Sequence, residues 1–545
     1  MPALTTRLDP AADQFVQNRA EMLDAIEQIE GILERAAAGG GEASMERLRK
    51  RGKLPIRERV SLLLDRDTPF LEIGPQVGHM TNYNEGGGAI VGLGVVAGTE
   101  VVLVGNDPSV MGGALTALSG KKILRALEIA RQNSLPYIQF VESAGGDLRG
   151  GGGGDRTLEE IMRANLGHFS DSGRMFYEIT ELSSLGIPTI SVVFGSSTAG
   201  CAYQPGLSDY TILVRNQAKV FLGGPPLVKM ATGEDSDDET LGGAEMHATV
   251  SGLADYLAED EYEGIRMCRD VVAHLHWRKL GREPLPDPTP PVHDPEELLG
   301  IVDRDLRGLI DIREVISRIV DGSEFEEFKP RYGPTLVCGW ADIHGFPVGV
   351  LGNNGPLFSE SSQKATQFIQ LCNQTGTPLL FLQNITGYMV GKDFERQGIV
   401  KHGSQMINAL SNSTVPHITV IVGGSYGAGN YGMGGRSFGT RFVFLWPTAK
   451  IAVMGPKQIA GVMSIVRRGQ AARKGLDFDE EADAAQVAAQ EYAHEQASLA
   501  LYATGRGDDD GVIDPRDTRD VVGFALSACH SNEVAGADGY GVYRM

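Results

Sequence analysis

The chain has 545 residues, with 49 basic and 70 acidic side chains and a formal charge of −21 at neutral pH. That balance argues against binding to nucleic acid or an anionic membrane, since neither phosphate-bearing surface would attract it; a local basic pocket remains compatible with it. The length exceeds what one core usually organises, 42% hydrophobic and 22% charged residues mark a globular chain, and 71 glycines, nearly twice the usual share of about 7%, imply many sharp turns or close backbone approaches.

Residues 10–35 place Phe15, Met22, Ile26, Ile29, Ile32 and Leu33 at helical spacing. The tract Ala36–Gly41 that follows reads as flexible, so residues 1–45 are expected to form a helical arm. No apolar run precedes the acids Asp9, Asp13, Glu21 and Asp24, and no later apolar stretch approaches the ~18 residues of a membrane span. The five cysteines are scattered without a C-x-x-C, which fits a reducing compartment and offers neither zinc knuckle nor disulfide frame. A cytoplasmic location is the expectation.

After the arm, an apolar strand ends in VVLVGNDP (Val101–Pro108), and a helix SGKKILRALEIARQNSLP (Ser119–Pro136) feeds the strand YIQFVESAGG. Five glycines, Gly150–Gly154, lack the Lys-Ser/Thr of a P-loop and read as a loop. The strand IPTISVVFGSSTAGCAY (Ile187–Tyr203) closes this run. At Glu283–Pro295, six prolines in thirteen residues sustain neither helix nor central strand. A linker at 283–295 therefore separates a domain at 46–282 from one at 296–545.

The second half repeats the first. VPHITVIVGGSYGAGNY (Val415–Tyr431) aligns without a gap on Ile187–Tyr203 at an offset of 228 (416 − 188), matching Pro188/Pro416, Gly195/Gly423, Ser197/Ser425 and Tyr203/Tyr431. SSQKATQFIQLCNQTGTP (Ser361–Pro378) parallels Ser119–Pro136, and VGVLGNNG (Val348–Gly355) parallels Val101–Pro108. Three correspondences in one order point to an internal duplication; the competing reading is two unrelated α/β domains. Helices alternating with apolar strands that run into glycine turns indicate an α/β fold, with the turns at strand C-terminal ends where ligands gather.

Two turns stand out, Thr198-Ala199-Gly200-Cys201 and Gly427-Ala428-Gly429-Asn430. Small consecutive residues let backbone N–H groups face a cleft, and two donors on one oxygen stabilise an oxyanion; close-packed turns without a ligand are the alternative. Gly423-Gly424-Ser425-Tyr426-Gly427 also fits a hydrolase nucleophile elbow, but only His494 and His530 follow it. The eleven histidines form no H-E-x-x-H, so no metal is expected.

In wording, the chain resembles the carboxyltransferase β subunits of biotin-dependent acyl-CoA carboxylases from about residue 45 to 525. The similar segments include RGKLPIRERV, VESAGGDL, FGSSTAGCAYQPGLSDY and LGGPPLVKMATGE in the first half. The second half adds FLQNITGYMVG, GGSYGAGNYGMGGR, WPTAKIAVMGPKQIAGV and DDGVIDPRDTR. The resemblance implies two tandem crotonase-like (ClpP/crotonase superfamily) carboxyltransferase domains, and transfer of a carboxyl group from carboxybiotin to the α- or vinylogous γ-carbon of an acyl-CoA. It assigns the amides of Gly200 and Cys201 to the thioester oxygen and those of Ala428 and Gly429 to biotin, and requires no side-chain base. Ala144, Gly145, Gly146, Ala199, Tyr203, Asn430 and Tyr431 are implied on the acyl-CoA side, and Thr386, Gly387, Tyr388 and Gly427 on the biotin side.

CoA phosphates call for cations, for which Lys121 and Lys122, with Arg51, Lys53 and Arg57, are candidates; a solvated face is the alternative. The chain contains no A-M-K-M biotinylation site, so the resemblance implies a separate biotin carboxylase/biotin carboxyl carrier α subunit and a hexameric ring (an α6β6 complex) in which neighbouring subunits share sites. Three departures bear on the acyl group. Cys201 replaces a usual glycine and is expected to narrow the pocket. Ser143-Ala144-Gly145-Gly146 replaces S-G-G-A, and Gly150–Gly154 sits in an insertion of about ten residues. Gly429-Asn430-Tyr431-Gly432 and Asn384-Ile385-Thr386-Gly387 favour the 3-methylcrotonyl and geranyl branch, with Tyr431 expected to shape the acyl pocket or to sit in the core. Against these stand a biotin-independent hydratase or decarboxylase, for which Glu142 is the one candidate carboxylate, and a non-catalytic scaffold.

Overall fold

The computed structural model describes residues 1–147, 172–306, 308 and 310–545; Leu148, Arg149 and the Gly150–Gly154 run lie outside the described residues. Each half builds one sheet. The first contains β1 (Leu71–Glu72), β2 (Ala89–Val96), β3 (Thr99–Asn106), β4 (Tyr137–Ser143), β5 (Thr189–Thr198), β6 (Tyr210–Val214), β7 (Lys219–Phe221) and β8 (Tyr256–Ala258). Their order is β1-β2-β3-β4-β5-β6-β8, with β7 also on β5. The second contains β9 (Glu326–Glu327), β10 (Leu336–Ile343), β11 (Phe346–Asn353), β12 (Leu379–Ile385), β13 (His417–Tyr426), β14 (Phe442–Leu445) and β15 (Lys450–Ala452). Here the order is β14-β13-β12-β11-β10-β9, with β15 on β13.

The duplication read from the motifs extends to backbone detail. The hairpins β2–β3 and β10–β11 turn through Ala97-Gly98 and His344-Gly345, all four residues at positive φ, as a two-residue hairpin between twisted strands requires. Helices Ala117–Asn133 and Ser359–Thr375 cross over to the parallel strands β4 and β12. The register with the next strand then shifts between Val141 and Ser143 in one half, and between Gln383 and Ile385 in the other. These shifts lie at the strand ends that carry the glycine turns, so the local bend is part of how each turn is aimed.

The two halves share their largest core. Val102, Ile123 and Tyr137 belong to the same buried cluster as Val337, Ile418, Phe442 and Trp446; the Trp446 indole also donates to Thr518 Oγ1 at 3.0 Å. The N-terminal helix, Asp13–Ala38, buries Met22 and Ile26 in that cluster, and Asn18 donates to Gly300 O at 3.0 Å. The start of the expected arm's helix is therefore packed on the second half, with Phe15 so close to Gly300 that a Cβ there would sit 2.3 Å from its ring. Nor is Ala36–Gly41 a flexible tract. Helix continues to Ala38, Ala36 is buried, and Gly40 lies so close to Ser109 that a Cβ there would sit 1.9 Å from its carbonyl oxygen. The proline-rich segment 283–294 holds neither helix nor strand and is pinned by Leu285 N–H to Gly345 O at 2.8 Å and Val292 N–H to Ser323 Oγ at 2.9 Å. Among the described residues, no helix is long and apolar enough to cross a membrane.

Candidate functional site

At the end of β5 the chain enters a left-handed residue, Ala199 (φ 54°), then a short 3₁₀ turn over Ala199–Ala202. At the end of β13, Gly427 (φ 55°) opens the short helix Gly427–Gly432. Amides in the first turn of a helix have no carbonyl within it to bond, which leaves those of Ala428 and Gly429 as donors and, in the first half, that of Gly200; the tighter 3₁₀ turn sets Cys201 three residues after Thr198, whose carbonyl its amide can reach. Buried serines brace both turns from beneath. Ser197 Oγ donates to Cys201 O at 2.8 Å, while Ser425 Oγ donates to Gln383 Oε1 at 2.5 Å and accepts from Asn430 Nδ2 at 2.7 Å.

A glycine strap runs beside each turn. Gly145 (φ 96°) and Gly387 (φ 131°) both take backbone that a side chain would strain, and their carbonyls accept from Leu115 N–H at 2.9 Å and Leu357 N–H at 3.0 Å. In the first half Ala144 and Gly146 are exposed while Gly145 is buried. Strap and turn touch in the second half: a Cβ on Gly429 would lie 2.6 Å from Ile385 Cγ1 and 3.0 Å from Gly387 Cα.

The second-half turn and strap line a cavity of about 1100 Å³. Five residues implied on the biotin side or in its hole, Thr386, Gly387, Tyr388, Gly427 and Ala428, form part of its wall, and no residue of the first-half turn does. Within one chain the two turns therefore do not share this cavity. Lys450, paired with Glu495 at 2.6 Å, lines it with Tyr426, Lys457 and Tyr492. Sequence reasoning did not single these residues out, although the signal was there. QAKVFLGGPP and TAKIAVMGPK are a further copy of the repeat, and Lys219 of the first pairs with Glu239 as Lys450 does with Glu495.

Other candidates fall less uniformly. Tyr203 and Tyr431 are 44% and 48% exposed, so Tyr431 is not a core residue; their rings stand against Phe176 and Phe438 at 5.5 and 5.8 Å. The Asn430 side chain is turned inward onto Ser425. Cys201 does not narrow a pocket: its side chain is buried in the core, with Sγ 3.3 Å from Ser143 Oγ, and burial pushes the thiol above its ordinary range. Lys122 does not face a phosphate. It is buried, donates to the carbonyls of Gly86 (3.0 Å) and Ala89 (2.6 Å), and is pulled down to about 8 by burial. Lys121 is half-exposed and pairs with Asp508 at 2.6 Å. Arg57 is held by Glu72 at 2.8 and 3.0 Å, Lys53 by Glu142, and Arg51 is exposed.

The serine-hydrolase and hydratase readings lose the residues they named. Ser425 is committed to Gln383 and Asn430; His494 lies in the helix Glu480–Ser498, and His530 is buried against Phe346. Glu142 is not a free acid, being paired with Lys53 and, at 2.9 Å, with the buried Arg59. Among the described residues, no group of three or more His, Cys, Asp or Glu is placed to hold a metal ion.

Two sheets of one plan, each ending in a braced left-handed turn beside a glycine strap, define a crotonase-like two-domain fold, and the comparisons with known proteins agree. The carboxyl transferase domain model matches residues 47–537, and the chain belongs to that family of carboxyl-transferring enzymes. It is 54% identical to a probable biotin-dependent acyl-coenzyme A carboxylase β2 subunit of Mycobacterium tuberculosis, over 99% of this chain and 100% of that protein. It is 43% identical to the mitochondrial methylcrotonoyl-CoA carboxylase β chain of Dictyostelium discoideum, over 99% and 90%. Among solved structures, the geranyl-CoA carboxylase β subunit of P. aeruginosa superposes with a TM-score of 0.87 at 41% identity, covering 100% of both chains.

Proposed function

We propose that the chain is the carboxyltransferase component of a biotin-dependent acyl-CoA carboxylase, taking the carboxyl group from biotin on a partner α subunit and placing it on the α- or vinylogous γ-carbon of an acyl-CoA. The observation that carries this reading is the repeated turn: one left-handed residue followed by small residues whose amides open a short helix, once per half, for a reaction that develops negative charge on two reactants. Donors preset on a developing oxyanion are worth about 3–4 kcal/mol each. The amides of Gly200 and Cys201 would receive the thioester oxygen, and those of Ala428 and Gly429 an oxygen of the biotin ring.

The second-half cavity fits a biotin head in chemistry as well as room. It offers the exposed Ala428 turn, the Thr386-Gly387 strap with no side chain at Gly387, and the apolar wall of Tyr388 and Val453. Biotin, when bound, supplies the carboxyl group. Gly427 and Gly387 let main chain approach it, and Ser425 holds the turn rigid so that its donors need no rearrangement.

Because the two turns do not share the cavity in one chain, the complete site is proposed to form between copies, within a hexamer. The helices Pro225–Thr232 and Pro456–Lys474, each following the edge strand beside its turn, support this by exposing Leu227, Met230, Ile465 and Val466. A 3-methylcrotonyl-type substrate is favoured by Tyr431 and by the methylcrotonoyl relatives, with geranyl, propionyl, acetyl or long-chain acyl groups as alternatives. The partner is proposed to carry both the biotin and the ATP-using step, and the complex to reside in the cytoplasm.

The test is biotin-dependent decarboxylation of malonyl- and methylmalonyl-type CoA esters by the chain alone, beside hydration of crotonyl-CoA. Carboxylation of branched and straight acyl-CoAs by the reconstituted complex follows. Decarboxylation that needs biotin is expected; hydration with no biotin requirement would overturn the reading, and inactivity with intact assembly would favour a scaffold.

A further inference from the structure

A second cavity, about 950 Å³, lies between the two halves of the same chain. None of the turn or strap residues lines it. Its wall carries six cations, Lys121, Arg125, Arg131, Arg174, Arg436 and Arg441, against the carboxylates Glu128, Glu178 and Asp508, with Asp510 buried beneath. In a chain of charge −21 this is a local positive excess.

The carboxylates present are shared. Glu178 serves both Arg174 and, at 3.5 Å, Arg131. Glu128 serves Arg125 at 2.6 Å and Arg436 at 3.8 Å. Asp510 takes Arg125 at 2.7 Å and Arg436 at 3.1 Å, and Asp508 takes Lys121. Arg441 has none: among the described residues no carboxylate lies within ion-pair distance, and its Nη1 reaches only Asn133 Oδ1 at 3.4 Å. Burial and the nearby Arg125 push this guanidinium below its ordinary range. A half-buried cation without a counter-ion is costly, and an anion in the cavity would relieve it.

We propose that this cavity binds small phosphate-bearing anions, with Arg441 as the central contact and Arg131 on the rim. Planar guanidinium groups arrayed on a cleft suit phosphate oxygens in particular. The same chemistry has two sources: the nucleotide end of CoA, in which case the inference rests on the acyl-CoA reading above, or a free phosphate or pyrophosphate, in which case it is independent of that reading.

Calorimetric titration of the full-length protein with inorganic pyrophosphate tests it. Saturable binding is expected, about tenfold weaker in Arg441→Gln and several-fold weaker in Arg131→Gln, whose half-exposed side chain can change without unfolding the chain. Competition by CoA but not by dephospho-CoA would assign the occupant to the nucleotide 3′-phosphate, and competition by neither would assign it to free phosphate; either supports the site. No saturable binding by the wild type, or unchanged binding by Arg131→Gln, overturns it.

Discussion

Ala199 and Gly427 hold the same left-handed backbone, φ 54° and 55°, at equivalent points of two halves 228 residues apart. Only one is glycine, and that asymmetry can be tested. An alanine at such a φ carries a cost of roughly 1–2 kcal/mol, borne at Ala199 because its neighbours impose the turn. Ala199→Gly removes that strain and adds chain entropy of similar size, so melting temperature and turnover should stay near wild type. Gly427→Ala adds the strain and also brings Cβ to 2.9 Å from Val453 O. It should lower the melting temperature by a few degrees and transfer activity by about tenfold. Equal effects of the two changes would mean that the turns are not equivalent.

Gly429 separates donor loss from crowding. Any side chain there presses on Ile385 and Gly387, so alanine and proline share that clash, but only proline deletes the N–H. If this amide stabilises charge, Gly429→Pro should fall a further 10²-fold or so in kcat below Gly429→Ala, with oligomer size unchanged in gel filtration. Matching rates in the two variants would remove Gly429 from the hole.

Much of this plan was legible because both copies kept their words: the G-N at the end of β3 and β11, the helix into a proline, the small residues after β5 and β13. What escaped was the direction of side chains whose type suggested a role. Lys121 and Lys122 are neighbours, but one residue turns a helix by about 100°. Lys122 shares its face with Ala126, Ile129 and Ala130 and points inward; Lys121 shares its own with Arg125, Glu128 and Gln132 and points into the second cavity. Helical spacing contains that split, and reading the two as one basic pair obscured it. Cys201 was harder, since nothing in a run of small residues tells which side chain the core takes up. The N-terminal helix was readable as amphipathic but not as packed on the second half, because its partners lie nearly 300 residues away.

That burial makes Lys122 a stability residue. Lys122→Met keeps the length of the stem and takes the ammonium donor away from the carbonyls of Gly86 and Ala89, at about 1–3 kcal/mol. The expected result is a lower melting temperature with KM for the acyl-CoA unchanged in the folded fraction. A raised KM at unchanged stability would restore Lys122 to the substrate.

Asp509 and Asp510 are adjacent, buried and pushed apart in acidity. Burial drives the Asp509 carboxyl up to about 7, with the charge of Asp510 adding to it against hydrogen bonds from Thr504 and Gly511, while Arg125 and Arg436 hold Asp510 below its ordinary range. In the unfolded chain Asp509 ionises near 3.8. Between those values the folded state holds the extra proton, so stability falls as pH rises through the window and the loss is complete above about 7. Asp509→Asn keeps an oxygen for Thr504 and Gly511 and removes the titration. Its melting temperature should therefore decline less than that of the wild type between about pH 5 and pH 8. Parallel declines in the two proteins would show that Asp509 stays ionised in the fold, with its charge compensated by Arg436 and the Thr504 hydroxyl.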